Sequence, residues 1–297
     1  MLGNTNLFFK NVVSLGWALL LSAFTLILGA VPLLILRRRS GRGWFWWAVI
    51  IAASMLAALG QFPMFILFTT VAVLIGSYVE FDDAQAPLFY SVAGATAVAS
   101  GYLGIALGVT FRITQVKLLG FVKQWVTTVV EQAHRIQPNL NLEAKSLYQQ
   151  IPSLVIIAMV FALVLAVAFE QMMRSEEGAA QEIGGSQRAS LVTKFYVPDL
   201  GVWLMCAALL ASFSPNRAET VEVIGVNSLN ILVVLYFLQG LSVVAKLFSV
   251  YKIATGWQIL WYFLLTFKLF LIVSVVGFVD YWLDFRRWIS KKMAEMN

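Results

Sequence analysis

Polar side chains inside long apolar runs are the first candidates for chemistry in this chain. Gln239 and Ser242 lie halfway along the run 227–249, and Lys268 lies halfway along the run 257–279. In an antiparallel pair of helices they stand at similar depth. Glu170, toward the end of another apolar run, is the nearest carboxylate by hydropathy. A lysine at mid-bilayer costs ~2.5–3.5 kcal/mol on insertion scales, so such a residue faces other helices or water, or its stem carries the charge to the surface. At three- and four-residue spacing its own helix offers only Trp261, Leu264, Leu265, Ile272 and Val275, none of which can pair with an ammonium. Three readings stand open: a lysine that snorkels out, one paired inside the bundle, or one lining a solute cavity. Lys268, Gln239, Ser242 and Glu170 form the candidate intramembrane polar site.

A second constellation closes the chain. Asp280, Asp284, Arg286 and Arg287 are interleaved with aromatics in DYWLDFRRW. Helical spacing brings Asp280 toward Asp284 and Asp284 toward Arg287. The group is either an interfacial stop signal or an ion-pair network that locks the last span, and the spacing predicts a helix through at least Arg287.

Small residues supply the third pattern. Ser14, Ala18 and Ser22 recur at four-residue spacing in the first apolar run. Ala93, Ala97 and Gly101 do so in the run 87–111, where Gly104 and Gly108 follow. Small residues at this spacing let helices approach closely, so both stripes are candidate docking faces, and the helix at 87–111 is expected to be buried among others.

For covalent or metal chemistry the chain offers little. It has a single histidine, His134, and a single cysteine, Cys206. No HExxH, Walker or GxSxG motif occurs, and no multi-histidine or thiolate metal site can be assembled from one of each. The expectation is a protein that is not an enzyme, with no cofactor and no metal.

The elements that must position these groups are membrane helices. Of 297 residues 60% are hydrophobic and 12% charged, and the mean hydropathy is +0.83. Soluble domains carry about 25% charged residues. The fold expected is all-α: a polytopic transmembrane bundle of about seven to eight apolar segments with one amphipathic region at the surface. Residues 1–111 hold the first membrane helices, 112–150 the surface helices and 151–297 the remaining membrane helices with a basic tail. In the surface region Leu118, Val122, Trp125, Val129 and Ala133 recur on one face, which predicts a helix lying along the membrane.

The net charge of +6 is concentrated in two clusters, Arg37, Arg38, Arg39 and Arg42 after the first run and Arg286, Arg287, Lys291 and Lys292 at the end. Basic clusters flanking spans favour the cytoplasmic face, so the lipid bilayer rather than nucleic acid is the expected partner and the C-terminus is expected to be cytoplasmic. Charge also favours an arrangement in which the acidic turn Glu80-Phe81-Asp82-Asp83 lies on the face opposite the arginine cluster, as a solvated turn.

VPLLILRRRSGRG, the hairpin Gln61–Gly76, the amphipathic helix leading into Ile151-Pro152, and above all FLQGLSVV (237–244) with DYWLDFRRW (280–288) resemble the YybS family of uncharacterised bacterial membrane proteins. That resemblance implies a multi-pass protein of the bacterial plasma (inner) membrane. The family is itself distantly similar to the substrate-capture subunits of energy-coupling-factor transporters. This implies a docking role toward a transporter scaffold for Ser14, Ala18 and Ser22. The functional expectation is a transporter-component-like bundle that binds a small molecule or ion; the alternative is a scaffold or assembly subunit that packs on other membrane subunits or on a second copy of itself.

Overall fold

A computed structural model describes residues 15–16, 26–114, 118–137, 143–177, 195–213, 218–251 and 253–296. Their regular structure is entirely helical, as the composition requires. The chain divides into two compact units, 1–181 and 182–297.

The first unit contains α1 (Leu26–Ala58), α2 (Phe62–Asp83), α3 (Leu88–Thr114), α4 (Leu118–Ile136) and α5 (Ala144–Glu177). α1 does not stop at Pro32; it runs on through the arginines and turns only at Gly41, whose φ of 77° suits a residue without Cβ. The apolar stretch after the arginines is therefore the second limb of α1. Gly60, at φ 70°, reverses the chain into α2. The two limbs of this hairpin meet closely, because a Cβ at Gly76 would lie 2.6 Å from the Trp46 ring. Phe45 is fully buried here while Trp47 stays exposed, so the aromatic cluster after the arginines serves core and surface together. Leu33, Leu36, Phe68, Leu74, Met159 and Leu163 fill the space between α1, α2 and α5.

α3 lies on α2 through Val92, Ala95, Thr96 and Ala99. The Tyr102 hydroxyl donates to Thr69 Oγ1 at 2.8 Å across that contact. This arrangement corrects the expectation of an enclosed helix. Ala97, Gly101, Gly104 and Gly108 are exposed, and a Cβ built on any of the three glycines meets nothing within 4 Å. Small residues lie on both sides of α3: Ala95 and Ala99 are buried in the contact with α2, while the stripe from Ala97 to Gly108 faces out. α4 forms where amphipathic spacing predicts it and packs on α5. Val126 and Val130 turn inward, one position round from Trp125 and Val129, which are exposed.

The second unit contains α6 (Asp199–Phe213), α7 (Glu219–Val250), α8 (Thr255–Phe267), α9 (Phe270–Leu283) and α10 (Phe285–Met296). α6 reaches α7 at Gly225, where an added Cβ would lie 2.9 Å from the Ser212 backbone nitrogen. α7 and α9 cross almost backbone to backbone. A Cβ on Gly240 would stand 2.1 Å from the Val273 carbonyl oxygen, and one on Gly277 would stand 2.0 Å from that of Tyr236. Contacts this close supply dispersion and Cα–H···O attraction that lipid-facing leucines cannot.

The run 257–279 is not one continuous span. It breaks at Lys268 and Leu269 into α8 and α9, bent by 96°. Neither proline nor glycine lies at the break. α8 is tied to α7 through Phe248 and Tyr262, whose rings are 5.4 Å apart, and α9 is held by the glycine crossing, so the contacts on either side set the bend. A second correction concerns the tail. Helix does not continue through Arg287: α9 ends at Leu283, Asp284 takes a left-handed conformation at φ 46°, and α10 starts afresh.

Five described helices are long and apolar enough to cross a membrane, or six spans if α8 and α9 count as one bent crossing. That is fewer than the seven to eight apolar segments the sequence suggests. Residues 44–58 belong to α1, α6 has only 15 residues, and most of the first apolar run lies outside the described residues.

Candidate functional site

Two sets of residues that the sequence presents separately meet in the second unit. Gln239 and Ser242 occupy the buried side of α7. Asp280 is on the last turn of α9, and Arg286 is on the first turn of α10. The left-handed residue Asp284 between them ends α9 and lets Arg286 return to Asp280; an unbroken helix would carry positions six apart about 120° round from each other. Arg286 Nε donates to Asp280 Oδ2 at 3.0 Å, and Gln239 Nε2 donates to the same oxygen at 3.4 Å. The carboxylate is enclosed, with 3% of its side-chain surface exposed.

The other half of this cluster is a non-helical segment, Phe195–Val197, ahead of α6. The Val197 amide donates to Gln239 Oε1 at 2.9 Å. The Phe195 carbonyl accepts from Arg286 Nη1 at 2.9 Å and from Ser242 Oγ at 3.3 Å; the Ser242 hydroxyl also lies 2.7 Å from the Gln239 carbonyl. Phe195 and Val197 bury their side chains. The Tyr196 ring lies 5.7 Å from the Arg286 guanidinium carbon. Burial first, and then the charge of Asp199, hold the Tyr196 phenol above its ordinary pKa. Non-helical backbone in an apolar setting needs partners for its polar atoms, and here buried side chains supply them. One acceptor remains open: Asp280 Oδ1 is buried with no donor among the described residues.

Lys268 lies apart from this cluster. It caps α8 at the break, with its amide donating to the Leu264 carbonyl at 2.9 Å, and its side chain is exposed. The bend also disperses the face on which a straight helix would align Trp261, Leu264, Leu265, Ile272 and Val275 with it. Glu170 lies in the first unit and meets an arginine of α1: Arg38 Nε is 3.3 Å from Glu170 Oε1.

That contact belongs to a charged knot which overturns the reading of the acidic turn as simply solvated and opposite the arginines. Arg38 is ion-paired with Asp82, and its Nη1 donates to Asp83 at 3.1 Å. Arg37 donates to Glu80 Oε1 at 2.8 Å, and Arg42 reaches the same oxygen at 3.3 Å. Arginine cluster and acidic turn therefore occupy one end of the α1–α2 hairpin. In the tail, Arg287 lies 3.6 Å from Asp284 as helical spacing suggests, in an exposed pair, whereas Asp280 takes Arg286. Ser14, Ala18 and Ser22 lie outside the described residues.

No group of three or more His, Cys, Asp or Glu among the described residues could hold a metal ion. His134 Nδ1 is 3.0 Å from the Val130 carbonyl on its own helix, and Cys206 is exposed. Sequence spacing gave no sign of the roles of Phe195 and Val197, since both act through the backbone. A sharp turn within DYWLDFRRW was the one feature that would have paired Asp280 with Arg286.

Among the described residues, five to six apolar spans and purely helical regular structure define an all-helical, multi-pass membrane protein. The chain belongs to the family described as Predicted membrane protein (DUF2232), whose model matches residues 13–281. The matched range includes Gln239, Ser242 and Asp280 and stops short of Arg286. No curated protein and no solved structure matches the chain.

Proposed function

We propose that this protein is a transporter-component-like membrane subunit that holds a small solute or ion at the Asp280 cluster. The observation that carries the reading is the enclosed Asp280 carboxylate with one oxygen paired to Arg286 and Gln239 and the other open. An ionisable side chain within apolar helices is costly to retain unless it pairs or serves a ligand. The paired oxygen is accounted for by Arg286; the open one suits a hydrogen-bond donor on a solute, a proton or a water. The membrane-protein family to which the chain belongs is compatible with the same reading.

The test uses the full chain purified in lipid nanodiscs, with bound small molecules released and identified by mass spectrometry. A stoichiometric solute supports the proposal. A solute-free preparation that is stable only with other membrane subunits defeats it and favours the second reading, a scaffold or assembly subunit. That reading draws on the exposed stripe Ala97, Gly101, Gly104 and Gly108 and on the exposed break at Lys268. Non-helical backbone at membrane depth is tolerated where protein or water covers it. In a scaffold, Lys268→Met should weaken subunit assembly while leaving insertion unchanged.

A further inference from the structure

Among its described residues, the amphipathic tail helix α10 has a packed side and an exposed one. Its inner side carries Ile289, which is buried, and Arg286, which reaches the Asp280 cluster; α10 rests there on α7. On the outward arc are Arg287, Trp288 and Lys291, all exposed. At 100° per residue these three fall within about 100° of one another. Arg287 keeps 83% of its side-chain surface free although it neighbours Asp284, and Trp288 is 61% exposed. The same segment of sequence also carries Lys292 and one acidic residue, Glu295.

We infer that this outer face of α10 binds the headgroups of anionic phospholipids. The left-handed turn at Asp284 directs α10 away from the line of α9 directly after an apolar segment, where headgroups begin. Arginine and lysine one turn apart match a phosphodiester in charge, and an indole between them suits the boundary of water and acyl chain. An aqueous acidic partner would use the cations alone, whereas a lipid interface also takes up an exposed indole face. Arg286 takes no part, because its guanidinium is committed to Asp280 and the Phe195 carbonyl.

The chain is reconstituted in nanodiscs of phosphatidylcholine with and without phosphatidylglycerol, and retained lipids are counted by native mass spectrometry. Each cation near an anionic surface contributes roughly 1 kcal/mol, so R287Q/K291Q should retain phosphatidylglycerol about tenfold or more weakly than the natural chain. The charge-conserving R287K/K291R should keep it. Equal retention by the natural and R287Q/K291Q chains, with both folded by thermal unfolding in phosphatidylcholine, overturns the inference. So does a result in which R287Q/K291Q keeps the lipid and instead releases a co-purifying acidic protein.

Discussion

Asp280 and Arg286 show why a charged pair in an apolar protein must be considered with everything around it. Their attraction offsets desolvation only because Gln239 and the Phe195 carbonyl satisfy further bonding positions. Removing one member leaves the other enclosed and uncompensated. Asp280→Asn or Arg286→Gln should each lower stability by about 3 kcal/mol, the lower end for buried pairs because 13% of the Arg286 side chain remains exposed. The double substitution should cost clearly less than the sum, measured by denaturant titration in mixed micelles; simple additivity would mean that the two do not act as a pair. Gln239→Leu strands the Val197 amide and should cost about 1–3 kcal/mol in the same assay.

At the scale of elements, identical residue types have opposite weight according to what faces them. Gly240 and Gly277 sit where two backbones touch, so a methyl at either position meets a carbonyl oxygen at about half its normal separation. Neither carbonyl can rotate away without breaking a helix. Gly240→Ala and Gly277→Ala should each separate α7 from α9 and lower the thermal midpoint markedly, whereas Gly101→Ala and Gly104→Ala should leave the stability of the isolated chain unchanged or raise it by up to about 1 kcal/mol. Thermal unfolding of the four variants in one detergent decides this, and similar losses at all four sites would contradict the packing described. The exposed glycines of α3 become consequential only if another protein covers them.

For the whole molecule, the ion pairs of the first unit dictate topology. Arg37, Arg38 and Arg42 bind Glu80, Asp82 and Asp83 directly, so both groups face the same compartment. In a Cys206→Ser background, cysteines placed at Arg39 and Ala84, both exposed, should react with an impermeant maleimide from the same side of sealed vesicles. Labelling from opposite sides would restore the arrangement that charge counting alone favours. Counting failed because it treats each cluster as an isolated topogenic signal, while paired charges neutralise one another wherever the chain brings them together.

The sequence by itself determined the solvent and the class. Apolar runs of membrane-spanning length leave the backbone no alternative to helix, because in lipid it must satisfy its own hydrogen bonds. Periodicity likewise placed the amphipathic helix α4, and composition directed attention to Gln239, Ser242, Asp280 and Arg286 without showing that they meet. Tertiary structure decided the rest. Whether Asp280 faces Asp284, as helical spacing suggests, or pairs with Arg286 depends on one left-handed residue, and whether Lys268 lies within a span or at its break depends on how α8 and α9 are held against α7. Helical spacing describes a straight rod. Close contact between glycines, turns at single residues and backbone atoms of a distant segment are properties of the folded chain, and they gathered the polar cluster.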